Sequence, residues 1–266
     1  MKKQTGSAAV AETSGVPAVI DPRDEALAAL GIGADDHRGK EGIGAGDVKP
    51  FFLKIAQKMS DELEPSHRNY MDDLRANMLF VTRGDGPGEI IGNQAEVIIV
   101  ALRKHAIQFA NAEKGIAFEK NVPFNDPRTQ FGKDGSKPVA TQYYDFAALV
   151  LPTLQPVVLS MKATNLDTAK SLNGALTDRR VVKGPTFAYA FTVGTRPETR
   201  TIEGKNVTFG VFDILNLKNP RVVTPEQFKI AERAYATATE FLSKADHSVV
   251  EGEVFGEERE PGSDDM

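Results

Sequence analysis

The chain has 266 residues, a net charge of −5, 41% apolar residues and no cysteine. That length suits one large domain or two small ones, and the missing cysteine excludes disulfides and thiolate metal sites. The longest aliphatic runs, Val97 to Leu102 and Phe146 to Leu151, are too short to cross a bilayer. Met1-Lys2-Lys3 leads into small and polar residues instead of the apolar stretch of a signal peptide, so a soluble, cytoplasmic protein is expected.

In chain order, residues 1–49 read as a disordered or linker segment, with a short helix over Asp24 to Ile32 and a Gly-rich stretch from Gly31 to Gly46. A folded domain is expected over residues 50–245, beginning near Pro50-Phe51-Phe52-Leu53. Met78 to Thr82 reads as a strand before an Asp-Gly-Pro-Gly turn at Asp85 to Gly88. Glu96 to Arg103 is an apolar run suited to a strand buried on both faces, and Ile107 to Ala110 continues it past a bend. Residues 111–141 are rich in Asn, Pro, Gly and Lys and predict a long loop or a weak hairpin.

Tyr143 to Leu151 and Val157 to Lys162 read as two further strands, divided at Pro152 and Pro156. Thr164 to Leu176 switches to helical spacing, with Leu166, Ala169, Leu172 and Leu176 on one side. Phe187, Tyr189, Phe191 and Val193 alternate on one face of a strand whose partner, Val207 to Leu215, lies across the turn at Glu203 to Asn206. Pro225 to Ala245 predicts a helix with Thr224 at the cap, Pro225 at the first position and Gln227 completing a capping box. Its apolar stripe is Phe228, Ala231, Tyr235, Ala238 and Leu242. About six or seven strands with one internal and one C-terminal helix fit a mainly β (α+β) fold, an OB-type β-barrel with insertions, better than a doubly wound sheet.

Catalytic and cofactor motifs are hard to find. The four histidines (His37, His67, His105, His247) form no metal-binding pair. Five residues separate Gly33 from Gly39, where a phosphate loop has four, and Glu41 stands where it needs Ser or Thr. Glu203-Gly204-Lys205 matches a nuclease motif in letters but falls in the hairpin turn. No metal, no cofactor and no enzymatic chemistry are expected.

Charge distribution is more informative. Residues 160–221 hold ten basic and five acidic side chains, whereas Asp246 to Met266 hold eight acidic residues and one basic. The tail therefore sums to −7 and residues 1–245 to +2, the composition of a body that binds an anion and a tail that competes for it. Cations spaced along a groove release counterions from a nucleic-acid backbone, and exposed rings stack bases. The candidate phosphate contacts are Arg103, Lys104, Lys162, Lys170, Arg179, Arg180 and Lys183. Tyr143 and Tyr144, adjacent on a strand and so on opposite faces, are expected to leave one ring accessible for stacking.

Three runs carry a resemblance: Phe51 to Ser60, Val97 to Lys104 and Pro156 to Thr164. Over residues 50–220 the chain resembles bacteriophage single-stranded-DNA-binding replication proteins. The resemblance implies an OB-type barrel that coats single strands during replication and recombination in the host cytoplasm, and a homodimer is a candidate assembly. It also implies that the acidic tail, through Glu257, Glu258, Glu260, Asp264 and Asp265, recruits replication enzymes. The tail departs from the family in ending Ser263-Asp264-Asp265-Met266 without an aromatic residue. The alternative is an assembly or virion-structural protein without DNA affinity.

Overall fold

The structure, a computed structural model, describes residues 49–109, 118–133, 138–202 and 205–243. The linker and short helix expected before residue 49, the turn residues Glu203 and Gly204, and the tail with Glu257, Glu258, Glu260, Asp264 and Asp265 lie outside the described residues.

Ten strands and two α-helices are described: β1 (Phe51–Ile55), β2 (Leu79–Thr82), β3 (Glu89–Gly92), β4 (Gln94–Phe109), β5 (Phe118–Val122), β6 (Ala140–Val150), β7 (Gln155–Lys162), α1 (Leu166–Thr177), β8 (Tyr189–Ile202), β9 (Lys205–Ile214), β10 (Arg221–Val222) and α2 (Pro225–Ser243). The strands join one strongly curled, half-barrel sheet in the order β10-β8-β4-β6-β7-β1-β2-β3, with β5 added to β4 and β9 added to β8. Every pairing is antiparallel except β1 with β7.

The apolar run in β4 explains the centre of the sheet. Val97 and Ile99 face one core with Phe146, Phe191 and α1 residues Ala169 and Leu172. Ile98 and Val100 face a second core with Ala147, Leu149 and α2 residues Ala231, Ala238 and Leu242. Helices thus cover both faces, which is why this stretch lacks the alternation of a half-exposed strand. A register shift between Ile99 and Ala101 marks a bulge, and the strand then runs on without a break to Phe109. The bulge lies before the expected bend: from Ala101↔Ala147 to Gln108↔Ala140 the ladder with β6 keeps one register, so no bend separates Arg103 from Ile107.

Two expectations about faces are corrected. Tyr143 is 0% and Tyr144 5% exposed, because the sheet at this point is covered on both sides; opposite faces did not mean one wet face. Phe187 does not share a face with Phe191. It sits in a 3-10 turn (Thr186–Ala188) and packs in the α2 core, 5.3 Å from Phe228 and 5.5 Å from Tyr235. Strand alternation starts only at Tyr189.

Local signals in the helices hold. Thr224 N donates to Gln227 Oε1 at 3.0 Å and Gln227 N to Thr224 Oγ1 at 3.3 Å, a reciprocal capping box at the start of α2. In the stripe of α2, Ala231, Ala238 and Leu242 are buried, while Tyr235 remains 57% exposed at the edge of the core. The segment read as a loop or weak hairpin supplies β5, paired with the end of β4 from Ala106↔Val122 to Phe109↔Phe118.

Candidate nucleic-acid interface

β7 is paired unequally on its two edges. Along β6 the ladder covers all of β7, from Val150↔Gln155 to Tyr143↔Lys162. Along β1 it consists of Phe51↔Val157 and Phe52↔Val158 alone. Beyond these positions the two parallel strands splay, and β7 passes into a 3-10 turn (Ala163–Asn165). The free side of β9 closes the gap from across the sheet. Gln57 Nε2 donates to Gly210 O and Gly210 N to Gln57 Oε1, both at 2.9 Å, so one side-chain amide pairs with β9 as a strand residue would. Thr195 Oγ1 donates to Asn77 O at 2.6 Å, and Phe212 N donates to Asn165 Oδ1 at 2.7 Å. Gly210 is required here: a Cβ would stand 2.6 Å from Asn77 Oδ1 and 2.8 Å from Ile55 Cγ2.

Between these contacts lies a groove of about 430 Å³ walled by β1 and the turn after it, the end of β7 and β9. Among the described residues three lysines line it, Lys54, Lys58 and Lys162, and no carboxylate does. Lys54 is buried and lies 3.7 Å from Glu62. Lys58 is exposed, and its neighbour Met59 is 80% exposed. Phe209 forms an apolar wall, with the Arg200 guanidinium 5.8 Å from its ring. The β8–β9 hairpin continues past the last β4 pairing at Gly194 as a two-stranded arm. Arg196 and Arg200 on this arm flank Glu198, at 3.3 Å and 2.6 Å.

One wall of the groove leads to a buried polar cluster. Ser160 Oγ donates to Asp145 Oδ1 at 2.6 Å, and His105 Nε2 lies 3.1 Å from Asp145 Oδ2. Asp145 is 0% exposed, and the His105 ring meets Tyr143 edge-on at 5.3 Å. The carboxylate stands between hydroxyl and imidazole, whereas a nucleophilic relay needs the imidazole in the middle. The arrangement anchors β4, β6 and β7 to one another beside the groove, because a charge at this depth is tolerable only when hydrogen-bonded or paired.

The sequence-predicted cations divide between several places. Lys162 lines the groove, its Nζ 5.5 Å above the Tyr143 ring. Arg103 Nη1 donates to Leu242 O at 2.7 Å, serving the unsatisfied carbonyls near the end of α2. Lys104 is exposed with its Nζ 5.1 Å from the Tyr144 ring, and that ring packs on Phe124 and Phe146. Lys170 is exposed on α1, 3.8 Å from Asp167. Arg179, Arg180 and Lys183 are exposed on the loop after α1. Arg180 grips Asp178 with side chain and backbone, which holds that carboxyl below its usual range and raises the guanidinium. Sequence reasoning missed Lys54, Lys58, Met59 and Phe209 as neighbours, since only the splay and the β9 closure bring them together. Polar residues set into otherwise apolar strands (His105, Asp145, Ser160) were the available signal for the buried cluster.

Among the described residues no group of three or more His, Asp or Glu could hold a metal ion, and no described helix is long and apolar enough to cross a membrane. The model of a protein family described as Pam3 phage gp34-like protein matches residues 22–241. No curated protein and no solved structure matches.

Proposed function

The chain belongs to the Pam3 phage gp34-like protein family, and from that premise we propose that it binds single-stranded DNA with little sequence preference, on an OB-type half-barrel, during phage replication and recombination. The observation that carries this reading is the groove in which Lys58 and Lys162 stand beside the apolar Phe209 and Met59, with no carboxylate among the described lining residues. Cations there neutralise phosphates and release counterions, while the apolar wall gives bases a surface to pack on. The arm with Arg196 and Arg200 extends the cationic track. Lys170, Arg179 and Lys183, exposed on and after α1, offer further phosphate contacts. The role is binding rather than catalysis.

The segment Asp246 to Met266, with its net −7, acts as a tethered rival for the groove, at an effective concentration of about a millimolar. The same acidic residues dock replication enzymes in the host cytoplasm. A titration with fluorescent oligo-dT at two salt concentrations tests this, on the full chain and on residues 1–245. The truncated protein binds more tightly, most visibly at low salt, and salt weakens both. No binding by the truncated protein at low salt refutes the proposal. Exposed Val222, Ile230 and Tyr235 on β10 and α2, at 66%, 40% and 57%, favour a second reading, an assembly protein that forms a defined oligomer and has no DNA affinity.

A further inference from the structure

We propose that the groove between β1, β7 and β9 is a pocket for one nucleoside monophosphate, so that a free deoxynucleotide and one unit of a bound strand compete for the same place. The inference rests on the single-strand reading above and adds a site that a flat stacking surface would not have. At about 430 Å³ the groove has the size of a small-ligand pocket. Its chemistry is divided in the way a nucleotide is divided.

Lys58, which is exposed, and Lys162 bring positive charge to the lining, which favours a phosphate. Phe209 and Met59 supply apolar surface, which a small inorganic anion would leave unused and a base would cover. Thr164 adds a hydroxyl to the wall formed by the end of β7 and the turn after it. A nucleoside without phosphate forgoes the lysines, and phosphate without a nucleoside forgoes the apolar wall. The pocket is held open by structure already present: the β1–β7 ladder stops at Phe52↔Val158, and the Gln57–Gly210 pair fixes β9 opposite.

Isothermal titration of the full-length protein with dTMP, thymidine, inorganic phosphate and oligo-dT tests the inference. One dTMP binds per chain, about tenfold or more tighter than thymidine or phosphate, and bound dTMP lowers the apparent affinity for oligo-dT. Lys58→Ala and Phe209→Ala each weaken dTMP about tenfold. Lys58→Ala, at an exposed position, leaves the melting temperature unchanged, so loss of binding there is not loss of fold. Oligo-dT binding without dTMP binding at millimolar concentration overturns the pocket and leaves the strand reading standing. Phosphate matching dTMP overturns it as well, because the apolar wall is then idle. Binding of dTMP without oligo-dT supports the pocket and removes the strand reading, and binding of neither ligand removes both.

Discussion

The two edges of β7 face different fates. Against β6 every residue of β7 is in register, and Leu159, Met161, Phe146 and Ala148 sit in a dry core with 4% exposure or less. Against β1 the register ends after two pairs, and the space beyond is filled by lysines, hydroxyls and the far strand β9. The paired edge is where apolar burial holds the sheet together, at about 1.5–3 kcal/mol for each fully buried large side chain. The splayed edge is no less buried at Phe52, Leu53 and Ile55, but beyond its two pairs it opens onto a concave wall that Lys58 and Lys162 line. On the proposed reading one strand contributes stability along one edge and a binding surface along the other, and substitutions on the two sides are expected to be read by different measurements.

Two substitutions probe this contrast and a third serves as its control. The largest effect is expected at the paired edge. Phe146→Ala removes a ring that is 0% exposed and costs about 3–5 kcal/mol in urea unfolding; a loss below 1 kcal/mol would mean that this edge is not the packed one. Gly210→Val at the seam forces a side chain against Asn77 and Ile55 and costs about 1–3 kcal/mol. It also disturbs the Gln57 pair and weakens oligo-dT binding, whereas Phe146→Ala, assayed under conditions where it is folded, does not. Equal effects of the two variants on DNA affinity would erase the distinction.

The smallest effect belongs to neither edge and serves as the control. Asp178 is held below the usual carboxylate range by bonds from Arg180. Its contribution is therefore present above the ordinary carboxylate pKa and is lost as pH falls through the lowered value. The melting temperature of Asp178→Asn lies slightly below that of the parent at neutral pH, and the gap closes in acid. A gap that widens in acid contradicts the ion pair at this loop.

Much of the paired region was legible in the sequence. The β4 run announced burial on both faces, the spacing of Ala169 and Leu172 gave α1, and Thr224 with Gln227 gave the start of α2. These signals are local: they depend on residues within a turn or a strand of one another. The tyrosine reading went astray because alternation gives direction but not cover, and both faces at Tyr143 and Tyr144 are covered. The groove was legible only in part. Lys162 was a candidate from charge alone, but Gln57 and Gly210 are 153 residues apart, and no local pattern states where a parallel ladder stops. Arg103, a candidate from charge alone, donates to the Leu242 carbonyl at the end of α2, a contact that depends on a helix far along the chain.

The proposed function places the nucleic-acid contacts on the splayed edge, and ultraviolet cross-linking of oligo-dT to the full-length protein, followed by peptide mass spectrometry, decides between that edge and the rest of the surface. Cross-links are expected on the peptides holding Lys58 and Met59, Lys162 to Asn165, and Val207 to Phe209. Cross-links confined to Lys170–Lys183, or strand binding without any cross-link to these three peptides, would contradict it.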